Sequence, residues 1–497
     1  MTWSSALPVL VILSSLGPGL VIFGLAEHRT RERTALNVAA ALTKLGLVGI
    51  ILVGVLRGEQ FQARIPFVPG ADLLLRVDSF ALLFVSLSTV LWLVTTIYAV
   101  GYLEGSTQRS RFFGFFSLSV SATMGIAMAG NLLTFFVFYE LLTIATYPLV
   151  VHEGTPAALR AGTTYLRYTF FGGALLLVGT AALYVTVGSI DFVDGGVLRS
   201  AAESSSRATL VFIFVLLLAG LSVKAAVVPF HGWLPAAMVA PAPVSALLHA
   251  VAVVKAGAFG ITRVIYEVYG IRVAARLGLM RPVVVIAAVT IIYGSLKALA
   301  QHDLKRRLAY STVSQVSYIV LGTALVGTIS TVGAVVHLVH QGLMKVTLFF
   351  CAGNLAHELH IHDVREMRGV ARRMPLTMLA FTLASLGMIG IPPLAGFITK
   401  WYLGAGALEA HAPWVIVVLL ASSLLNAAYL LPIVYDAWFR EPRTEWPGRT
   451  GGREIDGWLL GPTLTAAALA LAAGVFAGTS LSPLGWAIRI AREEFTG

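Results

Sequence analysis

The chain has 497 residues, of which 57% are hydrophobic and only 12% charged, with mean hydropathy +0.84, formal charge +11 and a pI near 9.8. A soluble protein carries about twice that charged fraction, so a string of soluble domains is excluded. The single cysteine, Cys351, rules out an internal disulfide, thiolate iron–sulfur ligation and any CxxC metal site, and the positive charge reads as basic loops on the inner membrane face rather than as a nucleic-acid surface.

At roughly 20 apolar residues per span, hydropathy marks about fourteen transmembrane segments. The first, 3–26, has no basic region before its apolar run and is expected to be a retained helix, not a cleaved signal. The second, 35–56, carries Lys44, and 78–101 and 112–128 follow without charge at their centres. The fifth, 131–151, holds Glu140 near its middle, and the sixth, 161–188, carries Arg167.

The seventh, 208–229, carries Lys224 and ends on Pro229, which removes its own N–H and pushes off the carbonyl of Ala225. Pro235, Pro241 and Pro243 then forbid a continuous helix into the eighth, 242–266, which contains His249, Lys255 and Arg263. Non-helical backbone at that depth is tolerated only where protein or water covers it.

The ninth and tenth segments are 282–300 and 307–326. In the eleventh, 329–356, His337, Gln341 and Lys345 are spaced i, i+4, i+8 along one helix face, with His340 on a neighbouring face. The stripe serves either as helix–helix hydrogen bonds or as a relay, since imidazole gives and takes protons near neutral pH. The twelfth, 375–402, is interrupted at Gly390-Ile391-Pro392-Pro393 and carries Lys400 beyond the break; 413–438 and 458–480 complete the set. Two broken spans with a lysine each, the seventh and twelfth, suggest an inverted internal repeat. The tail from Trp486 to Gly497 reads as a short interfacial helix.

The odd-numbered connections carry 18 Lys and Arg residues, Arg33 among them, against 10 in the even-numbered connections and the tail. The positive-inside rule then places the odd connections in the cytoplasm and both termini outside, as in a multi-pass cell-membrane protein.

Seven basic residues remain inside spans, and among the acids only Glu140 is expected deep in one. A charge at the bilayer centre costs several kcal/mol and usually faces protein or a water-filled path. Lys44 reads either as snorkelling or as a partner contact, and Arg167 and Arg263 as headgroup anchors. Glu140 has no nearby span end to reach, and headgroup anchoring does not account for four mid-span lysines, Lys224, Lys255, Lys345 and Lys400. His249 gains weight from standing among them. No Gly-rich dinucleotide fingerprint is present. Haem held by His249, His337 and His340 stays open and is testable by visible absorption.

Four stretches carry a resemblance: FFVFYELL (Phe135 to Leu142), VKAAVVPFHGWLPAAMVAPAPVSALLHAVAVVKAG (Val223 to Gly257), HLVHQGLMKVTLFFCAGN (His337 to Asn354) and GIPPLAGFITKWYL (Gly390 to Leu403). In content, order and spacing they resemble the antiporter-like subunits of respiratory complex I and its relatives, over roughly residues 70 to 440. Length and the absence of a long C-terminal extension resemble most the D subunit of Mrp-type multisubunit cation/proton antiporters.

The resemblance implies an all-α membrane protein of about fourteen helices. Helices 1–3 would occupy residues 1–105, two inverted five-helix repeats 106–270 and 271–440, and helix 14 with the tail 441–497, with helices 7 and 12 broken. It implies that Glu140 pairs with Lys224, that His249 and Lys255 form a central relay, that His337 and Lys345 form the next, and that Lys400 is the terminal residue. Where the family often has histidine, this chain has Gln341, and His340 is the candidate substitute.

The function implied is proton translocation in a sodium/proton antiporter complex. The alternative is the pumping subunit of a complex I-like NADH:quinone oxidoreductase or a membrane-bound hydrogenase. Other membrane subunits, protons, possible Na+ and lipid are the expected partners. No cofactor, metal site, nucleic acid or enzymatic reaction of its own is expected.

Overall fold

In lipid every backbone N–H and C=O must be satisfied within the segment, so long apolar runs fold as helices. The computed structural model describes residues 3–68, 71–199, 205–442 and 454–496. Arg443, Arg449 and Arg453, counted above among the basic loop residues, and Gly497 lie outside the described residues.

The helices in chain order are α1 (Trp3–Phe23), α2 (Thr30–Leu56), α3 (Ser79–Tyr102), α4 (Arg109–Ala127), α5 (Leu132–Val150), α6 (Pro156–Val187), α7 (Arg207–Lys224), α8 (Ala242–Tyr269) and α9 (Met280–Leu299). They continue as α10 (Leu304–Ala324), α11 (Thr328–Leu359), α12 (Pro375–Ile389), α13 (Ala395–Glu409), α14 (Trp414–Phe439), α15 (Gly457–Val475) and α16 (Pro483–Thr496). Among the described residues, 11 helices are long and apolar enough to cross a membrane. Each of the predicted segments coincides with helix, but α4, α10 and the α12–α13 pair do not meet that length and composition standard.

Burial separates centre from rim. The most apolar windows of α8 and α11 are 100% buried, whereas those of α6 and α14 are 33% buried. The rim displays Val185, Leu424 and Val417 outward, as expected of surfaces that meet acyl chains or partner helices.

One element was not foreseen. Between α2 and α3 the chain forms an antiparallel hairpin, β1 (Phe61–Val68) and β2 (Ala71–Val77), with Phe61 opposite Val77. Gly130 N–H donates to the Leu74 carbonyl at 2.8 Å and Leu74 N–H to Thr134 Oγ1 at 2.7 Å, tying the hairpin to the α4–α5 turn. The alternation Phe61-Gln62-Ala63-Arg64 and the Pro69-Gly70 dipeptide were its sequence signals.

Both predicted breaks are present. α7 stops at Lys224, and Ala226 takes a positive φ of 55°. Pro235 lies in a single turn, Trp233–Ala236, ahead of α8. The second break runs from Gly390 (φ 94°) through Pro392 and Pro393 to the start of α13.

Three placements need correction. Arg33, assigned to a connection, is the fourth residue of α2 and 2% exposed. Arg263 is no headgroup anchor: it is 2% exposed and ion-paired inside the protein. Glu140 is only half-buried, and the acid sunk deeper is Glu267: α8 continues past residue 266 through a wider π-type turn, Val264–Tyr269, and carries Glu267 inward at 1% exposure.

Candidate functional site

The first break sets the position of Lys224. A helix that ends inside the protein leaves carbonyls needing donors. The Trp233 indole supplies one, Nε1 to the Val223 carbonyl at 2.7 Å, and Val227 N–H bonds the Ser222 carbonyl at 3.0 Å. Lys224 is fully buried; its ammonium donates to the Tyr139 carbonyl and sits 3.4 Å from the Tyr139 ring centroid. The Tyr139 hydroxyl in turn donates to the Gly220 carbonyl at 3.0 Å, locking α5 to α7.

Glu140, the next residue, lies against α6. Its carboxylate packs on Gly173 of α6, where any side chain would collide with it, and Oε1 is buried without a partner. The Glu140–Lys224 ion pair expected from the resemblance is therefore not made, although the two charges interact through space. The Lys224 ammonium is taken by the Tyr139 carbonyl and ring, while the Glu140 carboxylate lies against Gly173.

The central group lies on the two fully buried helices. On α8, His249 sits in a π-type turn, Leu247–Val251, and Lys255 follows; both are 0% exposed. Neither ring nitrogen of His249 nor Lys255 Nζ has a hydrogen-bond partner. On α11, both amide atoms of Gln341 are unpartnered among the described residues, and the His337 ring makes no well-formed hydrogen bond, its one approach being to the Gln315 backbone. α8 and α11 pack directly here: the His249 ring lies 4.6 Å from that of Phe349, and Gly342 faces the Ala250 carbonyl. The structure thus brings the α8 and α11 residues together. It also places them beside the first break, because Gly257 packs directly on the backbone of Ala225.

His340, the residue beside the glutamine departure, reaches towards the second break: its Nδ1 is 3.1 Å from Thr399 Oγ1. Lys345 is held by the Leu308 carbonyl (3.0 Å) and Ser311 Oγ (2.8 Å). Lys400, next to Thr399, donates to the carbonyls exposed by the break, Ile389 at 2.5 Å and Met388 at 3.2 Å, and to Ser423 Oγ at 2.7 Å. Each broken helix thus carries a lysine held by backbone carbonyls: Lys224 at the end of α7 by the Tyr139 carbonyl of the neighbouring α5, and Lys400 by the carbonyls of its own break.

Sequence reasoning missed Gln315 and Tyr318 on α10. The Gln315 amide is buried and unpartnered among the described residues, and the buried Tyr318 ring lies tilted at 36° with its centroid 5.3 Å from that of His337. Their one signal was the polar run Ser311-Thr312-Val313-Ser314-Gln315 inside an otherwise apolar segment.

A second charged cluster sits at the hairpin end of α8. Arg263 pairs with Asp78 at 2.8 Å and with Glu267, and Arg76 reaches Glu267 at 3.3 Å and Asp78 at 3.7 Å. Asp78 also caps α3 through Ala81 N–H at 2.8 Å. Burial pushes the Asp78 carboxyl up, but the adjacent Arg263 and Arg76 hold it below the usual carboxylate range. Glu494 of α16 is raised well above that range, first by burial and then by the charge of Glu267.

Residues 129–426 match the family model described as NADH:quinone oxidoreductase/Mrp antiporter, transmembrane region. The N subunit of the NADH-quinone oxidoreductase of Desulforudis audaxviator is 35% identical over 492 residues, 95% of this chain and 96% of that one. The D subunit of the Na(+)/H(+) antiporter of Bacillus subtilis is 30% identical over 413 residues, 82% of this chain and 83% of that one. Among solved structures, a chain of the Mrp complex from a Dietzia species superposes with TM-score 0.86 at 25% identity, covering 98% of this chain and 97% of that chain.

Proposed function

Since this chain belongs to the NADH:quinone oxidoreductase/Mrp antiporter transmembrane family, we propose that it is the proton-translocating subunit of a multisubunit cation/proton antiporter, with sodium as the exchanged cation. The observation that carries the reading is the row of buried ionisable and amide side chains, His249, Lys255, His337 and Gln341, whose polar atoms make no well-formed hydrogen bond among the described residues. Buried polar atoms nearly always have partners, and those that lack one in protein are where water stands.

The proton path begins at Lys224 and Glu140. In the separated arrangement Lys224 rests on the Tyr139 carbonyl; swinging to Glu140 makes the ion pair. Two unit charges at about 4 Å attract by about 4 kcal/mol at an effective dielectric near 20. Moving one charge through about 100 mV takes about 2.3 kcal/mol. Making and breaking this pair is therefore a lever of the right size. From Lys224 the proton crosses to Lys255 and His249 on α8, then to His337 and Lys345 on α11. His340 and Thr399 carry it to Lys400, which exchanges with one membrane face or with the next subunit. Two five-helix units, 106–270 and 271–440, hold the two breaks, and both termini lie outside the cell.

Glu140→Gln and Lys224→Ala in the assembled complex test this reading. Each should abolish coupled transport in proteoliposomes; full transport in both would overturn it. The second reading, the pumping subunit of a redox-driven complex, is favoured by the 35% identity over nearly the whole of an oxidoreductase subunit. Small antiporter subunits in the purified complex support the first reading, and iron–sulfur, flavin or nickel subunits the second.

A further inference from the structure

We infer that Lys44 is the inner end of a second proton-access seam, formed by α1, α2 and α4 and separate from the row between the broken helices. On α2, Arg33, Asn37 and Lys44 are spaced i, i+4, i+11 on one face and are 2%, 0% and 0% exposed. α4 faces them with Ser110, Ser117 and Ser121, spaced i, i+7, i+11 and all buried. Arg33 donates to Ser110 Oγ at 2.8 Å, and the Ser110 N–H donates to Glu27 at 3.0 Å. Ser117 Oγ donates to Asn37 Oδ1 at 3.3 Å, and Lys44 Nζ donates to Ser15 Oγ of α1 at 2.6 Å. From Arg33 to Lys44 the helix rises about 16 Å, half of a hydrocarbon core of about 30 Å. The seam therefore runs from the α1–α2 turn to mid-depth.

Lys44 does not snorkel. Its ammonium lies 4.4 Å from the Trp92 ring of α3, it turns inward, and no carboxylate among the described residues lies within ion-pair reach. Leucine would be several kcal/mol cheaper at mid-membrane.

α3 supplies the second observation. Ser88 Oγ, Thr89 Oγ1, Trp92 Nε1, Thr95 Oγ1 and Thr96 Oγ1 are all buried and all unpartnered. At about 100° per residue they fall within an arc of about 120° on that helix. Beside that arc the same helix packs on the two helices that carry the central row: Phe80 and Phe84 meet Phe259 of α8, and Tyr98 stacks on Phe350 of α11. Five orphaned polar atoms in one arc are a lining for water. The step is a plain proton transfer. The neutral Lys44 amine takes one proton from water in the seam. The resulting ammonium gives one proton to water along α3, on the side that leads to His249 and Lys255.

This inference rests on the proton-translocation reading, so the test has two arms. In a Cys351→Ala background, Asn37→Cys and Ser117→Cys should react with a small water-soluble methanethiosulfonate. Val48→Cys, one turn beyond Lys44, should not, and Arg31→Cys serves as the exposed control. In proteoliposomes, Lys44→Met should cut transport about tenfold or more while assembly is kept. Unreactive Asn37→Cys and Ser117→Cys beside a reactive Arg31→Cys would overturn the seam. So would full transport by Lys44→Met where Glu140→Gln abolishes it, an outcome that leaves the main reading standing. If Glu140→Gln transports normally, the main reading fails and the labelling alone judges the seam. Labelling also decides if Lys44→Met does not assemble.

Discussion

α8 carries two buried cations of opposite character, two helical turns apart. Arg263 meets Asp78 and Glu267, and Arg76 closes the group from β2. Among the described residues Lys255 meets no carboxylate and no hydrogen-bond acceptor. The first arrangement compensates charge in place and fastens the hairpin, α3 and α8 together. The second leaves a titratable group with nothing in protein to hold its proton. A guanidinium stays charged under all ordinary conditions, whereas an ammonium gives up its proton when desolvated. Residue type thus matches surroundings: arginine where carboxylates hold the charge in place, and, on the proposed path, lysine where the proton is handed on.

The sharpest way to break this contrast is to remove each cation. Arg263→Met strands Glu267 as a buried, partly paired carboxylate, which should cost about 3–5 kcal/mol and appear as loss of assembly or a large fall in melting temperature. Lys255→Met removes a charge that no carboxylate compensates, so stability should hold or rise. Transport should drop about 100-fold, the scale of losing one proton-transfer group and equivalent to about 2.7 kcal/mol. Proteoliposome transport and thermal melting, read side by side, should give opposite profiles for the two variants. Equal destabilisation by both would erase the distinction.

How much of this was legible follows from what marks a sequence. Lys224, Lys255, Lys345, Lys400 and Glu140 stand out because charge in an apolar run is rare. Pro229 and Pro392-Pro393 stand out because proline cannot sit unnoticed in a helix. Gln315 and Tyr318 carry no such flag: an uncharged polar side chain fits a membrane helix in many roles, and only its place in three dimensions marks it. Glu267 was hidden because a wider turn prolongs α8 past the end that hydropathy gives. Arg33 sat too near a span end for its direction to be read, and it points in, to Ser110, rather than out. The absent Glu140–Lys224 contact was beyond reach because pairing in a family says nothing of which state one structure holds.

A smaller effect sharpens the comparison at the contact between Lys255's helix and the break. Gly257 lies against the Ala225 backbone, where a methyl group has no room. Gly257→Ala should cost about 1–3 kcal/mol by overpacking. It should also slow transport, since pushing α8 off the break separates Lys255 from Lys224. Gly46→Ala on α2, where open space surrounds the glycine, is the control and should leave both measurements unchanged.

The smallest expected effect concerns the end of α7. Trp233 is fully buried, its indole N–H caps the Val223 carbonyl at 2.7 Å, and its ring packs 5.3 Å from Tyr165. Trp233→Phe keeps most of the packing and removes the donor, so stability should fall by about 1 kcal/mol, the usual net worth of one hydrogen bond. If the indole only caps a helix end, transport should fall by no more than the roughly fivefold that such an energy represents. A loss well beyond that, with melting little changed, would mean that the Val223 carbonyl, left with the Ala226 N–H alone, competes with Tyr139 for the Lys224 ammonium. The break would then be an active part of the switch, and charge would be held at α7 as firmly as it is around Arg263.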